Sequence, residues 1–345
     1  MAVLKTLVRG SIKFILGLLL LLTAFYLLLL VINWQDAKPN AASLHMQSLL
    51  QQPPIPAAQN GYQYYLAHNT NNNLLLSGPL QQLYGQCSDV QTCTEALAAQ
   101  TDLTELVAQQ HKLLAFYKEL LQYPQWQEPP PKLEHMPAYQ LFLHGQRLFL
   151  WQAWLDAQAG NSQQVKAALT ADYQFWRNVL ANNNTVIAKM ISLAAVKHHF
   201  NLATIVISEL PAEQRDAAIP DGWNNVFSDK ELSLELALAG EWHFGSDITY
   251  NAWHGTNPYD ESESKVSEKL LAWVVRPLWL LEDTNNLLAT QLQQHSEQVS
   301  YPWYSWLRNP VGKIFMAIGT VPYENYQQRL LQLEQLRQDA LQQVN

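Results

Sequence analysis

Residues 14–32 read FILGLLLLLTAFYLLLLVI, a run with no charged side chain. In lipid every backbone N–H and C=O must be paired within the segment, which leaves a helix as the conformation open to it. At a rise of about 1.5 Å per residue that helix spans about 28 Å, close to the hydrocarbon thickness of a bilayer. Lys5, Arg9 and Lys13 precede the run and only Lys38 follows closely, so the positive-inside bias puts the N-terminus in the cytoplasm. Trp34 falls where an interfacial aromatic anchor belongs. A cleaved leader has an apolar core of about 7–15 residues and a small-x-small site. Here the run is longer and NWQDAKPNAAS offers no such site, so the expectation is an uncleaved signal anchor. LLAWVVRPLWLL is interrupted by Arg276 and Pro277, and TVIAKMISLAAVKHHF by Lys189 and Lys197, so neither is expected to be a second span. This reading gives a single-pass chain: a cytoplasmic tail over 1–13, a lipid-embedded anchor over 14–32, and residues 33–345 outside the cytoplasm.

Three of the 21 basic residues and none of the 29 acidic ones precede residue 33, which leaves the outer part with 18 against 29 and a net charge of −11. A surface of that sign repels nucleic acid and anionic lipid headgroups, and neither is an expected partner. Hydrophobic residues make up 48% of the chain, ample for a packed core and too many for a disordered stalk. The only cysteines are Cys87 and Cys93, in CSDVQTC. In an oxidising compartment a close even pair reads as a disulfide. Metal binding needs more ligands than two thiols, and redox catalysis favours the tighter C-x-x-C.

Pro53, Pro54 and Pro56 mark residues 33–60 as a semi-rigid spacer, followed by a helical domain over 61–345 with a sub-boundary at 124–136 around Pro129–Pro131. Residues 101–122 place Leu103, Leu106, Val107, His111, Leu113, Leu114 and Tyr117 at helical spacing, with Thr101 as cap. Helices over 138–158 and 163–180 flank AGNS and form a hairpin. This pair resembles the unit stacked in tetratricopeptide-like arrays, over about 40 residues and without a second copy at fixed period. Further helices are expected at 185–208, 264–295 (kinked at Pro277), 303–308, 310–318 and 323–343, with Gly245–Ser264 as a long loop. No run of alternating β-branched segments occurs. The predicted class is all-α: a transmembrane helix followed by a multi-helix domain built of helical hairpins.

GEWHFGSD, residues 240–247, sets Glu241, His243 and Asp247 close together, the raw material of a metal site or an acid–base pair. On a strand they would share a face; on a helix Glu241 and His243 lie about 200° apart. Leu, Glu and Ala favour the helix, Ser228 and Glu231 form a capping box, and Gly245 stands where a helix would end. Glu241 and His243 are therefore expected to be structural. Lys189 is alone in an apolar segment, in a stripe with Thr185 and Ser192. A lysine beside a serine is the form of a base–nucleophile pair, whereas a stripe that reaches solvent, or a lysine paired with one acid, is the ordinary reading. His198 and His199 diverge by about 100° on a helix and cannot easily chelate one ion. The acidic YDESES (Tyr259–Ser264) lacks the spacing of a calcium loop. No cofactor or metal motif is recognisable.

Trp and Tyr crowd the last third of the chain, and Trp253, Tyr301, Trp303, Tyr304 and Trp306 form a candidate binding rim for a peptide, a glycan or an apolar ligand. Two classes of function follow. The first is an anchored extracytoplasmic binding or scaffold protein of the cell envelope, with other envelope proteins as partners. The alternative is an envelope hydrolase with Glu241, His243 and Asp247 brought together by the fold.

Overall fold

The computed structural model describes residues 2–68, 74–87, 89–132, 139–254, 266–294, 301–318 and 323–344. The fold is all-α. Among the described residues no strand occurs, and β-type pairing is confined to an isolated bridge between Asn60 and Gln125. The apolar run lies within α1 (Ala2–Ile32), followed by α2 (Ala41–Leu50), α3 (Gly61–His68), α4 (Gly78–Gln86) and α5 (Val90–Ala99). Cys87 ends α4 and is disulfide-bonded to Cys93 on α5, as the spacing predicts. The bond staples the short turn between two consecutive helices.

The single helix expected over 101–122 is two, α6 (Leu103–Gln109) and α7 (His111–Leu120). Asp102, not Thr101, precedes the first. The break at Gln110 lets α6 bury Leu103, Leu106 and Val107 while α7 buries Leu113, Phe116, Tyr117 and Leu120. His111, expected to face inward, is exposed. The predicted hairpin is α8 (Gln140–Gln158) and α9 (Ser162–Asn182), turned at Gly160 with φ 75°, a conformation that favours glycine. α10 (Val186–Glu209) and α11 (Ala212–Ala218) follow.

The capping box of Ser228 and Glu231 forms, but its helix, α12 (Asp229–Leu232), lasts one turn. Ser233 leaves the helical conformation at ψ 145°, and its Oγ accepts the N–H of Glu235 at 3.0 Å to start α13 (Glu235–His254). Gly245 does not terminate this helix. A Cβ there would come within 2.6 Å of Leu288 Cδ2, so the glycine marks a close approach between helices. The loop expected from Gly245 is therefore helical to His254, and YDESES lies outside the described residues. Pro277 divides the next expected helix into α14 (Val266–Val275), a 3₁₀ turn at Arg276–Leu278 and α15 (Leu281–Gln294). A 3₁₀ turn at Trp303–Leu307, α16 (Pro310–Ile318) and α17 (Glu324–Val344) complete the order.

The chain forms two compact units, each discontinuous in sequence: Met1–Gln47 with Phe244–Tyr323, and Ser48–His243 with Glu324–Asn345. The second is the larger helical domain. α8 lies at its centre against α7, α9 and α10, and α17 packs on α10. Trp151, Trp176, Trp223, Tyr117 and Tyr173 are fully buried in its core. The expected spacer is not free-standing. Within this unit Gln127 clasps it, donating to Pro53 O at 3.0 Å and accepting from Ile55 N at 2.9 Å.

In the first unit Asn309 joins the end of α1 to α15 and α16. It is fully buried, with φ 48°, a left-handed conformation that asparagine tolerates. Its N–H donates to Asn33 Oδ1 at 2.6 Å, and its Oδ1 accepts from Leu280 N at 3.0 Å and Gly312 N at 3.2 Å. Its Nδ2 donates to Thr284 Oγ1 at 3.0 Å.

Among the described residues two helices are long and apolar enough to cross a membrane, Gly10–Ile32 and Val186–Glu209. The first buries none of its apolar window, whereas 67% of the second's is buried inside the protein. α10 is a core helix of the larger unit.

Candidate functional site

Glu241 is engaged as a helix cap. Its Oε1 accepts the backbone N–H of Val186, the first residue of α10, at 2.9 Å, and so satisfies one of that helix's unpaired donors. Glycine at position 240 permits the approach, because a Cβ there would collide with the Asn184 carbonyl. Burial pushes the Glu241 carboxyl up, and the Val186 hydrogen bond only partly offsets it. His243 and Asp247 lie two and six residues further along α13, about 200° and about 240° round the helix from Glu241. Among the described residues no three His, Cys, Asp or Glu side chains are grouped to hold a metal ion. Glu241→Gln retains the acceptor and is expected to change stability little. Glu241→Ala removes it and is expected to cost about 0.5–2 kcal/mol, read as a shift in the urea midpoint.

Lys189 does not reach solvent, and among the described residues no acid lies within ion-pair distance of it. It is 2% exposed, and its Nζ donates to the carbonyls of Leu180 at 2.7 Å and Lys230 at 3.3 Å. Leu180 O lies in the last turn of α9, where carbonyls lack helical partners and the dipole favours a cation. Thr185, expected in the same stripe, caps α10 by accepting from Ala188 N at 3.2 Å. Ser192 Oγ donates to Lys189 O at 2.9 Å and accepts from Asn183 Nδ2 at 2.6 Å. The Lys189 ammonium thus holds backbone carbonyls, and the Ser192 hydroxyl holds the Lys189 carbonyl and the Asn183 amide.

Burial pulls the Lys189 ammonium from 10.5 to about 7, with Glu231 opposing and Lys230 reinforcing the shift. The unfolded chain keeps this proton up to its higher pKa and so binds more protons between about 7 and 10.5. Lys189 therefore makes stability rise with pH across that window. In Lys189→Met the rise, at most about 1.4 kcal/mol per pH unit, is expected to vanish in denaturation curves recorded at pH 7 and 9.

The strongest polar constellation was not singled out by sequence patterns. Asp172, fully buried on α9, accepts from Tyr117 OH at 2.5 Å, Gln146 Nε2 at 3.1 Å and His199 Nδ1 at 2.8 Å. Trp176 Nε1 donates to Tyr117 OH at 2.8 Å, and Trp223 Nε1 to His199 Nε2 at 3.0 Å. Because Nε2 accepts, His199 is the neutral tautomer with its proton on Nδ1. An Asp–His pair can orient a general base, yet here the outer ring nitrogen faces an indole N–H in a site closed to solvent. The relay ties four helices and the 3₁₀ turn at Asp221–Asn224 together. Burial, then the Asp172 charge, hold the Tyr117 phenol well above its usual range.

His198 diverges from His199 as the helical angle requires. The Arg147 guanidinium lies against its ring and 4.7 Å from the centroid of Tyr84. Burial and then the Arg147 charge push the imidazole down to about 3, and burial lowers the guanidinium to about 10.

The aromatic rim residues lie in the first unit. Trp303 and Tyr304 are exposed with ring centroids 6.1 Å apart, Tyr301 and Trp306 are 5.8 Å apart, and Trp253 lies beneath the Arg276 guanidinium at 4.5 Å. The larger unit carries an open groove of about 610 Å³ over α8, between α7 and α9. Its floor is Phe149, Gln152, Ala153 and Asp156, and one wall is Gln164, Ala167, Ala168 and Ala171. Both sets follow i, i+3, i+4, i+7 spacing, so each is one helix face. The other wall is Lys118, Leu121 and Gln122. No protein-family profile, curated protein or solved structure matches this chain.

Proposed function

We propose that this is a single-pass protein of the inner membrane of a Gram-negative bacterium, with its N-terminus in the cytoplasm and its helical bulk in the periplasm, which binds another envelope protein. The flanking charges of the anchor support the topology, and the Cys87–Cys93 bond suits an oxidising compartment. The observation that carries the binding role is the groove on α8. Three alanines on one wall leave a valley where a partner's backbone can approach closely, and glutamines on floor and walls offer neutral hydrogen bonds. Lys118 and Asp156 supply opposite charges that would fix the orientation of a bound segment. An amphipathic helix laid into the groove is the mode this shape fits. Glu241 is engaged as a cap, so the hydrolase alternative draws no support from it.

A C-terminal alkaline phosphatase fusion is expected to be active and a cytoplasmic reporter silent; the reverse refutes the topology. Ala168→Trp fills the groove from a half-buried position. It is expected to abolish recovery of a partner from detergent-solubilised membranes while circular dichroism stays unchanged. A folded variant that retains the partner removes the groove from the proposal.

A further inference from the structure

The anchored unit presents large apolar side chains to its surroundings well beyond α1. Leu271, Trp273 and Val274 on α14, and Ile314, Phe315 and Ile318 on α16, are exposed, with Trp273 at 75% and Ile318 at 81%. Trp303 and Tyr304 are exposed between them in sequence. Such a set in one unit needs a cover.

Two hydrogen bonds fix its height relative to the anchor. Tyr26 OH donates to Val274 O at 2.9 Å, and Asn33 holds Asn309, the residue before α16, at 2.6 Å. Tyr26 lies six residues before the end of α1, which is about 9 Å down the helix axis from Ile32. Val274 therefore sits beside the apolar anchor, inside the depth of the hydrocarbon layer. α16 starts at the level of Asn33, where the anchor leaves that layer. Two charged groups near these faces, Arg276 and Lys313, are turned aside. Arg276 bonds the Trp253 carbonyl and stacks on its ring, and Lys313 Nζ bonds the carbonyls of Ser305 and Arg308 at 2.5 and 2.8 Å.

Given the anchor reading above, on which this rests, we infer that the C-terminal half of α14 and the exposed face of α16 insert into the acyl layer of the leaflet through which α1 emerges. The occupant of these faces is lipid hydrocarbon. The contact is apolar, so the net negative charge of the outer part does not oppose it, and Trp303 and Tyr304 suit the headgroup level. The protein then holds its membrane by a wedge beside the anchor as well as by the anchor itself.

The test uses the full chain in nanodiscs of phosphatidylethanolamine and phosphatidylglycerol, one copy per disc. Single spin-labelled cysteines replace Trp273 or Ile318, with Leu22→Cys as the embedded reference and Glu105→Cys as the aqueous one; Cys87 and Cys93 remain bonded. Collision with lipid-soluble oxygen is expected to dominate over collision with a water-soluble nickel chelate at 273 and 318, as at 22, and the order is expected to invert at 105. Labels at 273 and 318 that behave like 105, with 22 still embedded, overturn the wedge and leave the anchor standing. Position 22 behaving like 105 overturns both. Labels shielded from both reagents mean a protein cover, which also overturns the proposal. A second measurement needs no label: brominated acyl chains are expected to quench less of the tryptophan emission in Trp273→Phe than in the parent, and equal quenching counts against insertion.

Discussion

Replacing Asp172 by alanine is expected to cost the larger unit about 3–5 kcal/mol, a large part of the stability of an ordinary domain. The carboxylate answers three buried donors, from Tyr117, Gln146 and His199. Without it all three remain where no water reaches, and each buried donor left unpaired carries a penalty of about 1–3 kcal/mol. Asp172→Asn is expected to fall between parent and alanine, because its amide turns one acceptor into a donor. If that donor faces His199, the ring must move its proton to Nε2, which then meets the Trp223 N–H. A fault at one oxygen is thus passed to a tryptophan on another element. Urea titration followed by circular dichroism measures both changes, and an alanine variant within about 1 kcal/mol of the parent contradicts this account.

Arg177→Ala is the second large effect, expected at about 3 kcal/mol because it strands a buried carboxylate. The guanidinium grips Glu231 with Nε and with Nη2 at 2.7 Å, and donates to the carbonyls of Asn225 and Val226 at 3.2 and 2.8 Å. Burial pushes the Glu231 carboxyl up, yet hydrogen bonds from Arg177 and Ser228 outweigh it and leave the group below its usual range. A lowered carboxyl stabilises the fold above the unfolded pKa, and that contribution is lost as pH falls through the folded value. In Arg177→Ala the lowering by Arg177 is lost while burial remains, so the carboxyl rises relative to the parent and the variant's deficit narrows on acidification. Comparing denaturation midpoints of the two proteins at pH 7 and 4 tests both the size and the sign.

Local sequence signals carried much of the architecture. Proline at 277 and the AGNS turn break helices where backbone chemistry demands it, and Cys87 and Cys93 are too close to need a fold to find each other. The errors arise where tertiary packing overrides the local rule. Gly245 looks like a terminator but makes room for Leu288, and Ser233 both ends one helix and starts the next. Lys189 looked like a residue bound for solvent because its two acceptors are backbone carbonyls, which no pattern of side chains reveals. Asp172 and His199 come from neighbouring helices, so their pairing has no spacing to read. The available hint was a lone acid between Leu169 and Trp176 on a face of buried side chains.

The split make-up of both units constrains how the chain is put together during synthesis. Residues 1–47 emerge first, but their complement, Phe244–Tyr323, follows about 200 residues later. At roughly 5–20 residues per second that is an interval of about 10–40 s. Throughout it, Asn33 and Tyr26 have no nascent counterpart for their later hydrogen bonds to Asn309 and Val274. The larger unit waits in turn for α17, which lies against α10 and is made well after it. A ribosome stalled before residue 324 would therefore leave a strip of α10 uncovered, a natural recognition site for quality-control proteases.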